Sequence, residues 1–322
     1  MIKLSIVLPC HNEEEVIKDS YYELKDILTK LIEENKIKAY EIVFVNNGST
    51  DNTLEQMLEL QKTDASIVVV DLRNNYGYQG SITAGLCNCT GDAVITIDAD
   101  LQDDPNKIPE MLDLYYKGYE MVLGIREKRD TDTFFKRLSA NLFYKTLNIL
   151  GVKSINNHGD FRLLSRALVE DFKKMPERNR YIRGMVLSLE SKYAMVYYAR
   201  RERKKGATKF NLPALIAFAI DGITSFTSSP IRFVTIFGFI TFTLSILGLI
   251  YVLFEKFIRQ VNVPGWAFLS IVLLFFGGIQ SLFLGIVGEY IAKTYIETKN
   301  RPLFLVRKIY KRDKNEFDAN KI

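Results

Sequence analysis

Two uncharged runs in the last third of the chain limit its folding more than any other feature. Phe233–Phe254 is 22 residues without a charge, and Val263–Gly288 is 26. At about 1.5 Å of rise per helical residue, each run is long enough to cross a hydrocarbon core of about 30 Å. A helix that is apolar on every side has no polar face to turn to water. Basic residues flank the pair: seven Lys or Arg lie in residues 200–232 and eight in 289–314, against two in the intervening 255–262. The positive-inside rule then predicts two membrane spans, with both flanks and the large N-terminal region in the cytoplasm. Asn211–Ser229 has one charge, Asp221, and is too interrupted by Pro213 and Pro230 to read as a span. It is expected to be an amphipathic helix on the membrane surface.

The first 210 residues have a different pattern. Leu4–Pro9, Glu41–Val45, Ser66–Asp71, Ala93–Ile97, Tyr119–Ile125 and Tyr193–Tyr198 are short apolar or β-branched runs. Helical periodicities separate them, so the expected fold is α/β with a mostly parallel sheet. Asn12 is expected to cap the first helix. Asn156–Asp160 reads as a loop and Leu163–Lys173 as a helix. The formal charge is only +5, which does not favour nucleic-acid binding. The three cysteines, Cys10, Cys87 and Cys89, have no zinc-like spacing and fit a reducing compartment. Met1–Val7 has no long apolar core of a signal peptide and reads as the first strand.

The chemistry is concentrated after the run Ala93–Ile97. Asp98, Asp100 and Gln102 follow at two-residue spacing, which on an extended chain places them on one side. Open α/β sheets bind ligands beyond the carboxyl ends of their strands. Hard oxygen ligands there suit Mg²⁺ or Mn²⁺ carrying a nucleotide diphosphate. No G-x-G-x-x-G follows the first strand and no P-loop is present. With only His11 and His158 as imidazole bases, serine or cysteine hydrolysis is disfavoured.

Four segments resemble one family. Leu8-Pro9-Cys10-His11-Asn12-Glu13, Val45-Asn46-Asn47-Gly48-Ser49-Thr50-Asp51, Asp98-Ala99-Asp100-Leu101-Gln102-Asp103 and Gly159-Asp160-Phe161-Arg162-Leu163 together resemble family 2 glycosyltransferases of the GT-A fold. Within that family they are similar to the polyprenyl-phosphate branch, the dolichol-phosphate mannose synthases and bactoprenol glucosyltransferases. The likeness covers nearly the whole chain, including the two C-terminal spans. It implies a GT-A, Rossmann-like catalytic domain over 1–210, a juxtamembrane helix over 211–232, two spans at 233–254 and 263–288, and a basic cytoplasmic segment at 289–322.

The resemblance also implies roles. Pro9, Asn12 and Glu13 line the nucleotide pocket, and Asp98 contacts the nucleotide-sugar. Asp100 and Gln102 hold the divalent metal. Arg126 and Arg137 meet the acceptor phosphate, and Asp160 lies beside the sugar. There it aligns the acceptor, contacts sugar hydroxyls or takes the last proton. Lys205, Gly206, Thr208 and Lys209 match a basic loop over the diphosphate. Many relatives carry Asp-Asp where this chain has Asn46-Asn47; Asn47, with a donor and an acceptor, keeps a contact to uracil geometrically open. The implied reaction is inverting transfer of a hexose, foremost from UDP-glucose, to undecaprenyl phosphate. UDP-galactose, UDP-N-acetylhexosamine and GDP-mannose are alternative donors, and a homo-oligomer is expected. A processive polysaccharide synthase is disfavoured because the only tryptophan, Trp266, follows Gly265 and not the Arg of a Gln-x-x-Arg-Trp motif. An inactive scaffold conflicts with the intact acidic cluster.

Overall fold

The structure, a computed structural model, describes residues 1–127, 155, 157–190, 192–201, 229–258 and 265–312. Arg137, Lys205, Gly206, Thr208, Lys209 and most of the expected juxtamembrane helix lie outside the described residues. The described chain divides into two compact units. One contains the N-terminal region together with residues from Arg301 onward, and the other contains Leu212–Asn300.

The first unit is built on β1 (Ile2–Cys10), β2 (Ile37–Asn46), β3 (Ile67–Leu72), β4 (Ala93–Thr96), β5 (Met121–Arg126), β6 (His158–Ser165), β7 (Tyr193–Tyr198) and β8 (Val306–Lys311). They form one sheet in the order β7-β5-β6-β4-β1-β2-β3-β8. The pairings among β4, β1, β2 and β3 are parallel, as is that of β5 with β7. β6 runs antiparallel between β4 and β5, and β8 runs antiparallel along β3. The helices of this unit are α1 (Ile17–Glu33), α2 (Thr53–Thr63), α3 (Gly77–Asn88), α4 (Ile108–Tyr116), α5 (Arg166–Lys174) and α6 (Ile182–Leu189).

Alternation along the strands feeds two cores. Ile6, Leu8 and Phe44 are fully buried in the cluster that includes Ile17, Tyr21, Leu24, Leu28 and Leu31 of α1. Those α1 positions repeat at helical spacing, and each fully buried aliphatic side chain stabilises the fold by about 1.5–3 kcal/mol. Val7 and Val45 point the other way, toward α3. There Gly85 is required, because a Cβ on it would stand 2.2 Å from Val7 Cγ1.

Three expectations need correction. Gly159–Leu163 is strand, not a loop leading into a helix: β6 is buried along its whole length, including His158, Asp160 and Arg162. Asn12 does not cap α1. The helix starts at Ile17 with no side-chain cap, and Asn12, at φ 55°, accepts from the amide of Thr50 instead. The chain after β4 is also not extended. Leu101, at φ 45°, closes a turn in which its amide donates to the carbonyl of Asp98. Beyond the last apolar run, Val306–Lys311 forms an edge of the same sheet.

The second unit contains α7 (Ser229–Phe257) and α8 (Trp266–Lys299). Pro230–Gly248 and Phe275–Lys299 are long and apolar enough to cross a membrane. Large apolar side chains such as Phe239, Leu244, Leu273 and Leu284 are exposed. Phe237 of α7 meets Phe283 of α8 edge to face at 5.5 Å.

Candidate active site

The carboxyl ends of β1–β5 and β7 and the amino end of β6 converge, because β6 is antiparallel. This edge has a neutral half and a charged half.

The neutral half is made of amides. Cys10 pairs with Asn46 and Asn46 with Asp71 in the sheet, so the loops after β1, β2 and β3 leave side by side. Asn47 is buried, and its Nδ2 donates to Asn75 Oδ1 (3.0 Å) and the Gly77 carbonyl (3.1 Å). Its Oδ1 accepts from the amide of Tyr76 at 2.8 Å. Asn47 therefore shapes the 75–77 turn with both ends of its amide. His11 Nδ1 lies 3.0 Å from the Asn47 carbonyl and Nε2 3.1 Å from Asn75 Nδ2. A carbonyl only accepts, which places the imidazole proton on Nδ1. Pro9 lies buried in β1 opposite Val45, and the amide of Glu13 donates to Thr53 Oγ1. Gly48, at φ +64°, has no room for a side chain, since a Cβ would stand 2.6 Å from the backbone of Asn74.

The charged half is built around Asp98, Asp103 and Asp160. Asp98 Oδ1 accepts from Tyr78 Oη at 2.5 Å, and Oδ2 lies 4.0 Å from Arg126 Nη2. Burial, then the nearby charges of Asp160 and Asp103, push the Asp98 carboxyl up to about 6. Burial and Asp98 likewise push the Tyr78 phenol up, so it stays a neutral donor. Arg126 holds the buried Asp103 through Nε (2.8 Å) and Nη2 (2.9 Å). Asp160 accepts from Arg162 Nη2 and from Arg183 Nη2 (2.7 Å) and Nε (3.2 Å). Burial alone would raise its pKa; Arg183 and Arg162 outweigh burial and hold it well below the usual carboxylate range. Asp100 Oδ1 accepts from the Gln102 amide at 3.2 Å, and the Gln102 carbonyl accepts from the Arg201 amide at 2.8 Å. Arg201 also pairs with Glu23 and Asp104, fixing the turn from both sides.

Among the described residues no three His, Cys, Asp or Glu side chains group closely enough to cage a metal. The donor set is Asp98, Asp100 and Gln102, hard oxygens without a third carboxylate. It fits a hard divalent cation that completes its shell with a ligand's oxygens. The surplus of negative charge that raises Asp98 is what such a cation would relieve.

The chain matches the family model "Glycosyl transferase family 2" over residues 5–173. It is 42% identical over 306 residues to the Bacillus subtilis glycosyltransferase YkoT, covering 94% of this chain and 90% of that one. The chain belongs to glycosyltransferase family 2. It is an enzyme, and its mostly parallel sheet is that of the family's GT-A fold. This glycosyltransferase is also 40% identical over 311 residues to the Escherichia coli prophage bactoprenol glucosyl transferase homolog (96% of this chain, 100% of that one). It is 38% identical to the bactoprenol glucosyl transferase of Shigella phage SfII, covering 96% and 99%. Among solved structures it is similar to glucosyl-3-phosphoglycerate synthase from Mycobacterium tuberculosis, crystallised with Mn²⁺, UDP and phosphoglyceric acid. That match has a TM-score of 0.46 and 20% identity over 69% of this chain and 76% of the other.

The structure therefore brings Pro9, Asn12, Glu13, Asn47, Asp98, Asp100, Gln102, Arg126 and Asp160 to one edge of the sheet. Sequence reasoning gave no role to Tyr78, Asp103, Arg162 or Arg183. Asp103 had a visible signal as the last acid of the Asp98–Asp103 motif, and Arg162 stands inside Gly159–Leu163. Tyr78 and Arg183 had none, because their roles arise only when α3 and α6 meet the ends of β4 and β6.

Proposed function

We propose that this glycosyltransferase moves glucose from UDP-glucose to undecaprenyl phosphate, with inversion, at a membrane surface. The observation that carries this reading is the reach of the similarity. It spans 96% of this chain and 99–100% of proteins named as bactoprenol glucosyl transferases, so the apolar helices are shared as well as the catalytic domain.

In this reading the residues take the following roles. The acceptor phosphate is already an anion, so transfer needs no strong base. Asp160, kept ionised by Arg183 and Arg162, positions these arginines rather than taking a proton. Arg126 spends Nε and Nη2 on Asp103 and meets the acceptor phosphate with Nη1, alongside Arg137. Charge-assisted arginine–phosphate bonds are the stronger class. Pro9, Asn12 and Glu13 line the nucleotide, with Asn47 behind them shaping the 75–77 turn. Lys205, Thr208 and Lys209 cover the diphosphate. Asp100 and Gln102 would hold Mg²⁺ or Mn²⁺, which would supply Lewis-acid stabilisation to the departing diphosphate.

The same reading places α7 and α8 across the membrane with both chain ends in the cytoplasm. β8 supports it: this strand follows α8 yet pairs with β3, which precedes α7. A sheet lies on one side of a membrane, so the chain between must cross an even number of times. A cysteine at Asn262 is expected to label from outside and one at Asn315 is not; the reverse labelling would refute the orientation. The function itself is tested by incubating the membrane-embedded protein with undecaprenyl phosphate and radiolabelled nucleotide sugars. UDP-glucose is expected to give the lipid-soluble product. Product only from UDP-galactose, a UDP-N-acetylhexosamine or GDP-mannose would reassign the donor.

A further inference from the structure

Asp71, at the end of β3, is 1% exposed, and a carboxylate that deep needs compensation. One side is supplied by Asn46, whose Nδ2 donates to Asp71 Oδ1 at 2.7 Å. The other comes from Arg307 of β8, whose Nη1 lies 3.5 Å from Asp71 Oδ2. Arg307 Nη2 also donates to the carbonyl of Arg73 at 3.1 Å, and the amide of Arg73 donates to the Leu305 carbonyl at 2.9 Å. The network continues into the neutral half of the site. Asn46 Oδ1 accepts from the Ser49 amide at 3.2 Å, and Ser49 Oγ accepts from the Asn12 amide at 3.2 Å. A path of direct contacts thus runs Arg307–Asp71–Asn46–Ser49–Asn12, from a strand made after both apolar helices to the loops expected to hold the nucleotide.

The network also accounts for asparagine at position 46. An ionised aspartate there would set two carboxylates about 2.7 Å apart in a buried site, a mutually repulsive arrangement. The amide instead donates to Asp71 Oδ1, complementing Arg307 on Oδ2.

We propose that Arg307 is a positioning residue for the donor pocket: by balancing Asp71 it holds the 46–51 and 73–77 loops in the shape that binds the nucleotide. The inference rests on the nucleotide-sugar reading above. It makes donor affinity dependent on the C-terminal strand, although that strand contributes no side chain to the reacting centre.

The test uses the full-length protein, with UDP and Mn²⁺ titrated calorimetrically and transfer kinetics run with each substrate varied. Arg307→Ala is expected to weaken UDP binding and raise the donor KM about tenfold. Its kcat at saturating donor should stay within about twofold, with the acceptor KM unchanged. Arg307→Lys should recover part of the loss, having the charge without the planar fork. The double variant Asp71→Asn with Arg307→Ala should bind UDP better than Arg307→Ala alone, because the uncompensated charge is gone. Lys308→Ala, on the same strand, should match wild type. If Arg307→Ala does not fold, the double variant decides: it must fold and bind UDP within a few-fold of wild type. Unchanged UDP affinity in Arg307→Ala, a loss in kcat instead of donor KM, or no rescue by Asp71→Asn would overturn the proposal. Wild-type protein that binds no UDP would refute the donor reading and this inference with it. Protein that binds UDP but is indifferent to Arg307 refutes this inference alone.

Discussion

The two halves of the site edge are organised by opposite means. Beyond β1, β2 and β3, amides and backbone set most of the loops: Asn47, Asn75 and His11 satisfy one another, Asn12 accepts from the Thr50 amide, and Asn46 donates to Asp71, whose charge Arg307 balances from the far side. Around the carboxyl ends of β4 and β5 and the amino end of β6, charges do the same work in pairs, Arg126 with Asp103 and Arg162 and Arg183 with Asp160, while Asp98 stays under-compensated. A half whose one buried carboxylate, Asp71, is already balanced has no surplus charge to neutralise, which suits a recognition surface. A charged network with one surplus carboxylate is poised for a cation, which suits a reaction that builds negative charge on a leaving group.

The comparison is tested most severely at Asp98. Asp98→Asn should lower kcat by about two orders of magnitude or more while leaving the Tyr78 bond an acceptor. The same change should stabilise the metal-free protein at pH 7.5. A carboxyl raised to about 6 favours folding through its protonated form. That contribution is complete below the ordinary carboxylate pKa and is lost as pH rises through 6. Differential scanning should therefore show a Tm increase of about 2–4 °C at pH 7.5 that vanishes near pH 4. A fall in Tm at pH 7.5 would mean the charged half carries no surplus.

Asp160→Asn probes the compensated part of that half. It leaves Arg162, 1% exposed, buried without its carboxylate, and should cost about 3–5 kcal/mol of stability, measured by denaturant unfolding. A loss below about 1 kcal/mol would show that the pair is not structural. Asn47→Ala, in the neutral half, should have the smallest effect. It should raise the donor KM about fivefold, the equivalent of about 1 kcal/mol, with kcat little changed. A collapse of kcat would erase the division between the halves.

The two halves also differ in how legible they were. β1 to β4 are buried on both faces and read as continuous apolar runs, so the sheet and its parallel core were evident in the sequence. β6 was not, because His158, Asp160 and Arg162 interrupt its pattern. These residues are tolerated in a buried strand only because Arg183 from α6 and the pairing of Asp160 with Arg162 compensate them, and no local pattern announces that. β8 was missed for a different reason: Val306–Lys311 holds three basic residues, as an edge strand does, and reads as a solvated tail. The acidic motif itself was legible, but its conformation was not, since Leu101 at positive φ turns the chain where spacing suggested extension.

The central claim is that the acidic half, loaded with a divalent cation, drives transfer from a nucleotide-sugar to a polyprenyl phosphate. Its most direct test is formation of lipid-linked glucose from UDP-glucose and undecaprenyl phosphate, measured for wild type with Mn²⁺, wild type in excess chelator, and Asp100→Ala with Mn²⁺. The account predicts product in the first case and none in the other two, with Asp100→Ala retaining its fold by circular dichroism. Full activity in chelator, or in Asp100→Ala, would contradict it.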